Sequence, residues 1–207
     1  MAHHVLVETN WVVDVATPSL AENTTALELR ERGRSGELSL HVPAVSLMEA
    51  RRVVATRMPR AQLNAIRGFV HRAVDEGQIS RTAADATYDS LARFQQFTVS
   101  EREHAPARIT ALASDASISV FPLDERMLQR SVDLVGEVGV ALAPFDQSIL
   151  AAVLVRGKDL RDAGHLVSFA TLDSDLLPWD RNGAPLPLLS LFERAGIEVF
   201  ETFALAG

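Results

Sequence analysis

The sequence predicts an α/β fold: a three-layer α/β/α arrangement with a central, mostly parallel sheet and an enlarged helical insertion. Short apolar runs alternate with stretches of helical periodicity along most of the chain, which is the pattern of successive strand–helix–strand units. The first run, residues 5–7, is continuously apolar, as expected for a strand that helices cover on both faces. Because such connections place strands in parallel, the carboxyl ends of the strands should meet at one edge of the sheet.

Each element is placed along the chain by its periodicity and by flanking Pro or Gly residues. The predicted strands are residues 5–7, 38–42, 118–121, 166–171 and 196–200, the last at an edge. The predicted helices between them are residues 11–20, 22–32, 44–57, 123–138 and a helix that starts near Pro144. We expect one domain over residues 1–207, with a helical insertion at residues 58–116 that forms a hairpin.

The composition is that of an ordinary globular protein and excludes several kinds of site. Hydrophobic residues make up 47% and charged residues 23% of the chain. The absence of cysteine excludes disulfides, thiolate zinc sites and a cysteine nucleophile. No apolar run reaches transmembrane length and the N-terminus lacks signal-peptide features, so we expect a cytoplasmic protein without a membrane partner. The net charge of −7 argues against nucleic-acid binding over the whole surface, but it allows a local strip of arginines.

Four carboxylates fall where strands end or where the next helix begins. Glu8 follows the first strand, Asp173 follows the fourth, and Asp146 stands at the start of a helix. Glu49 lies just past the first turn of the helix that follows the second strand. Because ligands of open parallel sheets bind outside the carboxyl ends of the strands, we expect all four acids at one rim.

Glu49 is predicted to lie inside an apolar stripe of its helix and not on the solvated face. Val45, Met48 and Val53 share that stripe at helical spacing. A buried carboxylate is costly unless it is paired or coordinated. Arg52, about one turn further on, could pair with it, and that pairing is the structural alternative to a functional role.

Clustered anions repel each other strongly unless they hold hard divalent cations, and Mg²⁺ is the natural choice for oxygen ligands. Such a cation can assist phosphodiester hydrolysis. Three polar residues beside the acids could orient the ligands: Thr9, Asn10 and Thr171.

Each acid taken alone also has a purely structural interpretation. Asp146 could cap its helix, and Asp173 and Asp175 could be turn residues. Glu8 could be a solvated strand end, and Glu49 could be an ion-paired core residue. One fold explains all of these positions together, so the joint pattern favours a functional site.

Two further stripes are predicted to face the core. In the insertion, the residues at helical spacing are Tyr88, Leu91, Phe94 and Phe97. In the helix at residues 123–138, the inward residues are predicted to be Leu128, Val132 and Val135.

At four places the sequence resembles the PIN domain family. That family has a first strand ending in Asp-x-Asn or Asp-x-Ser, a Glu after the second strand, an Asp opening a helix before Ala-Ala, and a Thr-x-Asp after the fourth strand. The matching segments are Val7-Glu8-Thr9-Asn10, Ser46-Leu47-Met48-Glu49, Phe145-Asp146-Gln147-Ser148-Ile149-Leu150-Ala151-Ala152 and Thr171-Leu172-Asp173-Ser174-Asp175. The likeness covers residues 4–57 and 117–201, and it depends on the order and spacing of the motifs.

This resemblance implies a Mg²⁺- or Mn²⁺-dependent ribonuclease, most often the toxin of a type II toxin–antitoxin pair. Catalysis and metal binding would fall to Glu8, Glu49, Asp146 and Asp173, with Asp175 as a further metal ligand. The implied partners are RNA, a small antitoxin protein and a second copy of the chain in a homodimer.

Arginines after the second strand could bind the RNA. Arg51, Arg52 and Arg57 are close enough in sequence to contact neighbouring phosphates. The alternative is a solvated, arginine-rich helix face with no ligand.

The first acid departs from the family pattern and keeps a second hypothesis open. Glu8 stands where the family usually has Asp, and one extra methylene moves a carboxylate by roughly an ångström. The second hypothesis is therefore a catalytically degenerate PIN-like module that binds RNA or a protein without cutting. An unrelated phosphoryl-transfer fold of the haloacid dehalogenase type would need Asp-x-Asp after the first strand, which Glu8-Thr9-Asn10 does not supply.

Overall fold

A five-stranded sheet lies at the centre of the protein, and every strand pair in it is parallel. The structure, a computed structural model, describes residues 2–20, 24–56, 60–137 and 142–205, without the side chains of residues 60–62. In chain order the strands are β1 (His3–Val7), β2 (Ser39–Pro43), β3 (Ile118–Phe121), β4 (Leu166–Ala170) and β5 (Glu198–Phe200). Across the sheet they run β3-β2-β1-β4-β5, so β1 is central.

Helices cover both faces of this sheet, which confirms the predicted α/β/α fold class. The helices of the described ranges are α1 (Thr9–Ala16), α2 (Thr25–Arg34), α3 (Ala44–Thr56), α4 (Arg60–Asp75), α5 (Arg81–Ala113), α6 (Glu125–Glu137), α7 (Pro144–Asp162) and α8 (Leu188–Ala195). None of the helices within these ranges is both long enough and apolar enough to cross a membrane.

The alternation of side chains along β1 divides the core into two halves. Val5 and Val7 pack with residues of α1, α2, α3 and α5, whereas Leu6 packs with residues of α6, α7 and α8. All three side chains are fully buried. This is the two-sided burial that the continuous apolar run predicts.

The chain passes from β1 into α1 without a loop. The helix begins at Thr9 and not at Trp11, because Glu8 itself caps it and accepts a hydrogen bond from the backbone N–H of Asn10 at 2.6 Å. Trp11, in the first turn of α1, anchors the helix to the core, because its side chain is fully buried and its Nε1 donates to the carbonyl of Ala26 at 3.1 Å. The junction therefore fixes Glu8 at the carboxyl edge of the sheet.

The insertion contains two helices, α4 and α5, but the aromatic stripe predicted to be core is wrong in part. Phe94 and Phe97, in the first half of α5, are exposed. The residues of α5 that join the main core lie in its second half and include Ala105, Ile109 and Leu112. Helical spacing alone does not reveal which half of a long helix finds a partner.

The inward face predicted for α6 is also wrong. Leu128, Val132 and Val135 are all exposed, whereas Met127 and Leu134 are buried against α7 and its neighbours. Met127 and Leu134 each precede a predicted inward residue, Leu128 or Val135, by one position. The buried face of α6 is therefore displaced around the helix by about one residue from the predicted face.

Candidate functional site

The structure brings the predicted acids together at the carboxyl edge of the sheet. Glu8 directly follows β1, Glu49 lies in α3 after β2, Asp146 lies in the first turn of α7, and Asp173 follows β4. The carboxyl of Asp146 lies close enough to Asp173, Glu49 and Asp175 that the negative charge of each raises its pKa. Four separate segments therefore contribute acids to one rim, as open parallel sheets favour.

Glu8 is the most deeply buried of these acids, with only 1% of its surface exposed. One carboxyl oxygen accepts from the backbone of Asn10, and the other accepts from Thr171 Oγ1 at 3.3 Å and from the Leu172 N–H at 3.4 Å. Burial raises the pKa of Glu8 to about 8, and the charge of Asp173 adds to this while the hydrogen bonds oppose it. A solvated strand end is therefore excluded as its environment.

Glu49 is buried, as predicted, although the stripe predicted around it is only partly correct. Met48 is exposed, and the buried residues of α3 are Ser46, Glu49, Ala50 and Val54. Both oxygens of Glu49 already have partners: Oε2 accepts from Thr9 Oγ1 at 2.7 Å, and Oε1 lies 3.5 Å from Arg52 Nη2. The predicted pairing of Glu49 with Arg52 is thus present.

Asp146 does not act as the cap of α7. The N-cap is Ala143, which makes no side-chain cap bond, and Asp146 lies inside the first turn. Partial burial raises the pKa of Asp146 to about 6, and the neighbouring charges of Asp173, Glu49 and Asp175 add to the rise while Arg52 opposes it. Burial and mutual repulsion among carboxylates therefore both favour the neutral form of Asp146.

Asp173 has the turn role that its position also predicts. Its Oδ1 accepts from the Asp175 N–H at 2.9 Å and so caps the short 3-10 helix Ser174–Leu176. Its own N–H donates to Thr171 Oγ1 at 2.9 Å, which ties it to the loop that holds Glu8. Asp175 is exposed at the outer side of this turn.

Of the three arginines predicted to contact RNA, Arg52 borders the acids. Its guanidinium also lies over the ring of Phe145, 5.1 Å from the ring centroid. Arg51 points elsewhere, because its Nη2 donates to Thr110 Oγ1 of α5 at 2.6 Å. Arg57 lies outside the described residues.

The donor chemistry of the rim fits a hard divalent cation, since carboxylate oxygens are the ligands that Mg²⁺ and Mn²⁺ prefer. The arrangement as it stands does not hold one: within the described ranges, no three or more histidine, aspartate or glutamate residues are placed to bind a metal ion. Glu8 and Glu49 already use their oxygens for protein donors. The protein donors thus hold both carboxyl groups in fixed orientations.

Sequence reasoning missed a histidine cluster on the inner strands of the sheet, formed by His4 of β1, His41 of β2 and His165 just before β4. His4 Nδ1 and His41 Nε2 lie 2.8 Å apart, and the ring centroid of His165 is 4.4 Å from that of His4. Burial lowers the pKa of His41 to about 3, with help from the nearby Arg156 and His4, so this side chain is neutral. The signal that could have found it is His41 itself, a histidine between two core residues of β2.

No protein-family model matches the chain, and a comparison with curated proteins finds no significant match.

Proposed function

We propose that this protein is a Mg²⁺- or Mn²⁺-dependent endoribonuclease that hydrolyses RNA phosphodiester bonds at the acidic rim. The observation that carries the proposal is the gathering of carboxylates from four segments, close enough that the charges of Asp173, Glu49 and Asp175 raise the pKa of Asp146. Such repulsion destabilises the folded protein unless a bound cation relieves it. Residues with perturbed pKa values also concentrate at functional sites. The order of the motifs resembles a PIN domain, and the parallel α/β/α fold is compatible with that likeness.

The residues of the rim divide into ligands and supports. Glu8, Glu49, Asp146 and Asp173 would hold the cation, with Asp175 at the outer side. When bound, the cation would supply a Lewis acid that activates water and neutralises charge on the phosphate.

The supporting residues already hold the carboxylates in place. Thr9 donates to Glu49, Thr171 donates to Glu8, and the backbone of Asn10 fixes the other oxygen of Glu8. The exposed guanidinium of Arg52, beside Glu49, would contact a substrate phosphate at the rim.

The PIN likeness extends the proposal to the setting of the protein. A ribonuclease of this kind would act as the toxin of a toxin–antitoxin pair in the cytoplasm. Its partners would be a small antitoxin that covers the rim and a second copy of the chain.

The direct test is RNA cleavage by the purified protein with Mg²⁺ or Mn²⁺ and with EDTA as the control. We expect cleavage with either cation and background rates in EDTA. The rate should rise between about pH 6 and pH 8, because Asp146 and Glu8 lose their protons near those values. Cleavage that EDTA leaves unchanged would refute the proposal, and so would the absence of cleavage in every RNA, cation and pH tested.

A second candidate function is RNA or protein binding without cleavage, and two observations favour it. Burial raises the pKa of Glu8 to about 8, whereas a metal ligand should ionise readily, and Arg52 Nη2 lies 3.5 Å from Oε1 of Glu49. RNA that binds equally well in EDTA and in Mg²⁺, and that remains intact in both, would support this candidate.

A further inference from the structure

A pair of histidines joins the two neighbouring strands β1 and β2. Nδ1 of His4, on β1, lies 2.8 Å from Nε2 of His41, on β2, so the two rings share a hydrogen bond across the strands. His4 leaves the same face of β1 as Leu6, which packs in the half of the core that contains α7. The shared bond needs a proton on one of the two facing nitrogens and a lone pair on the other.

The outer nitrogen of each ring is buried. Nε2 of His4 and Nδ1 of His41 have no hydrogen-bond partner among the described residues, and His41 is only 4% exposed. In the neutral pair one of these outer nitrogens carries a proton and the other does not, whichever ring donates the shared bond. An added proton must therefore go to a buried nitrogen, and a buried charge without a partner is strongly unfavourable.

The side chains that act on the pair add further positive charge. Arg156 of α7 lowers the pKa of both His4 and His41, and His165 and His3 lower the pKa of His4 further. The ring of His165 lies close, with its centroid 4.4 Å from that of His4. Burial is the largest cause of both shifts, and it brings the pKa of His41 to about 3.

The elements around the pair supply little negative charge to balance a proton. Strands β3 and β4, which flank β2 and β1, contain no charged residue. On α7, Asp159 interacts with Arg156, but both of its carboxyl oxygens accept from Arg126, at 3.1 and 2.7 Å. The guanidinium of Arg156 lies over the ring of Phe121, 5.8 Å from the ring centroid. A proton on the pair therefore meets mainly repulsion.

We propose that the pair of His4 and His41 is a proton-sensitive tie between β1 and β2, which holds while the pair is neutral and weakens the fold when the pair takes up protons. One added proton places an unpartnered buried charge beside Arg156, and a second would put protons on both facing nitrogens and break the shared bond. Because β1 is the central strand, the tie joins β2 and β3 to the rest of the sheet. This inference goes beyond the proposed function, because it needs neither a cation nor RNA.

The direction of the pH effect follows from the lowered pKa values. An unperturbed histidine takes up its proton near pH 6.5, so the unfolded chain binds protons at a higher pH than the folded pair does. The stability that the neutral pair provides is complete above that pH. It is lost as the pH falls from there towards the pKa of the folded pair.

The test is urea unfolding of the purified protein at about pH 7.5 and pH 4.5, for the wild type, His41→Gln, Arg156→Gln and His104→Gln. We expect acidification to raise the unfolding equilibrium constant of the wild type at least about tenfold more than that of His41→Gln, which has no titrating group at this position. Arg156→Gln should show a smaller rise than the wild type, because one repelling charge is gone.

His104→Gln is the matched control. His104 is exposed on α5, and its ring bonds to the carbonyl of Ser100 on the same helix. The two histidine variants each remove one imidazole, so any difference between them reports position and not the number of histidines. His104→Gln should respond to acid as the wild type does.

Proton NMR of the histidine rings of the wild type tests the same inference without any substitution. At least one of the six histidines should keep the chemical shift of a neutral ring down to about pH 5. If all six titrate near pH 6.5, the inference is wrong. It is also wrong if acid destabilises His41→Gln as much as the wild type, and an equal or larger rise in Arg156→Gln would contradict the part assigned to its charge.

Discussion

Replacing Asp146 by Asn is expected to lower cation-dependent RNA cleavage by at least about a hundredfold, the loss typical when one group that stabilises transition-state charge is removed. Asn keeps the size of the side chain but removes a charge that the structure places beside three other acids. Because that charge is repelled by its neighbours, its removal should leave the folded state at least as stable as before. Initial rates and thermal unfolding of the same preparations measure both effects.

Asp133→Asn is a suitable control for this variant. Asp133 lies exposed on α6 and accepts a hydrogen bond from Gln129 of the same helix, and it is not among the charges that act on Asp146. It should cleave RNA at the wild-type rate. If Asp146→Asn and Asp133→Asn cleave equally fast, Asp146 has no part in the reaction.

Replacing Glu8 by Gln is expected to abolish a large pH dependence of stability. The pKa of Glu8 is raised from 4.5 to about 8, so the folded protein keeps a proton that the unfolded chain releases. The stabilisation from this proton is complete below the unfolded pKa and is lost as the pH rises through the folded one. Between about pH 5.5 and pH 9 the wild type should lose on the order of 3 kcal/mol of unfolding free energy from this group.

Urea unfolding at those two pH values measures the difference. Glu8→Gln carries no titrating group at this position, so that component of the pH dependence should vanish, whatever constant offset the amide introduces. Glu193→Gln, an exposed glutamate on α8, should keep the wild-type pH dependence. Equal pH dependence in all three proteins would mean that Glu8 is ionised in the folded protein at neutral pH.

The strands and the acids at their ends are predictable from sequence because both follow from local pattern. A continuous apolar run such as residues 5–7 indicates a strand buried on both faces, and the structure shows β1 at the centre of the sheet. Once the strands are parallel, the positions of Glu8 and Asp173 relative to the sheet follow from topology. The burial of Glu49 follows from helical spacing in the same way.

Features that depend on packing partners are not predictable in this way. Leu128, Val132 and Val135 have good helical spacing but are exposed. The face of α6 that packs against α7 is the adjacent one, which carries Met127 and Leu134. The rise in the pKa of Glu8 depends on how completely other segments bury it, and the contact between Arg52 and Phe145 joins two helices far apart in sequence. These properties are set by tertiary contacts that no local pattern encodes.

A crystal structure of the protein grown with Mn²⁺, with anomalous scattering used to locate the ion, is the most direct test of a cation site at the acidic rim. We predict an anomalous peak bounded by Asp146, Asp173 and Glu49. A peak confined to another place, such as the cluster of His4 and His41, would contradict that site. The absence of any peak at saturating Mn²⁺ would contradict it equally.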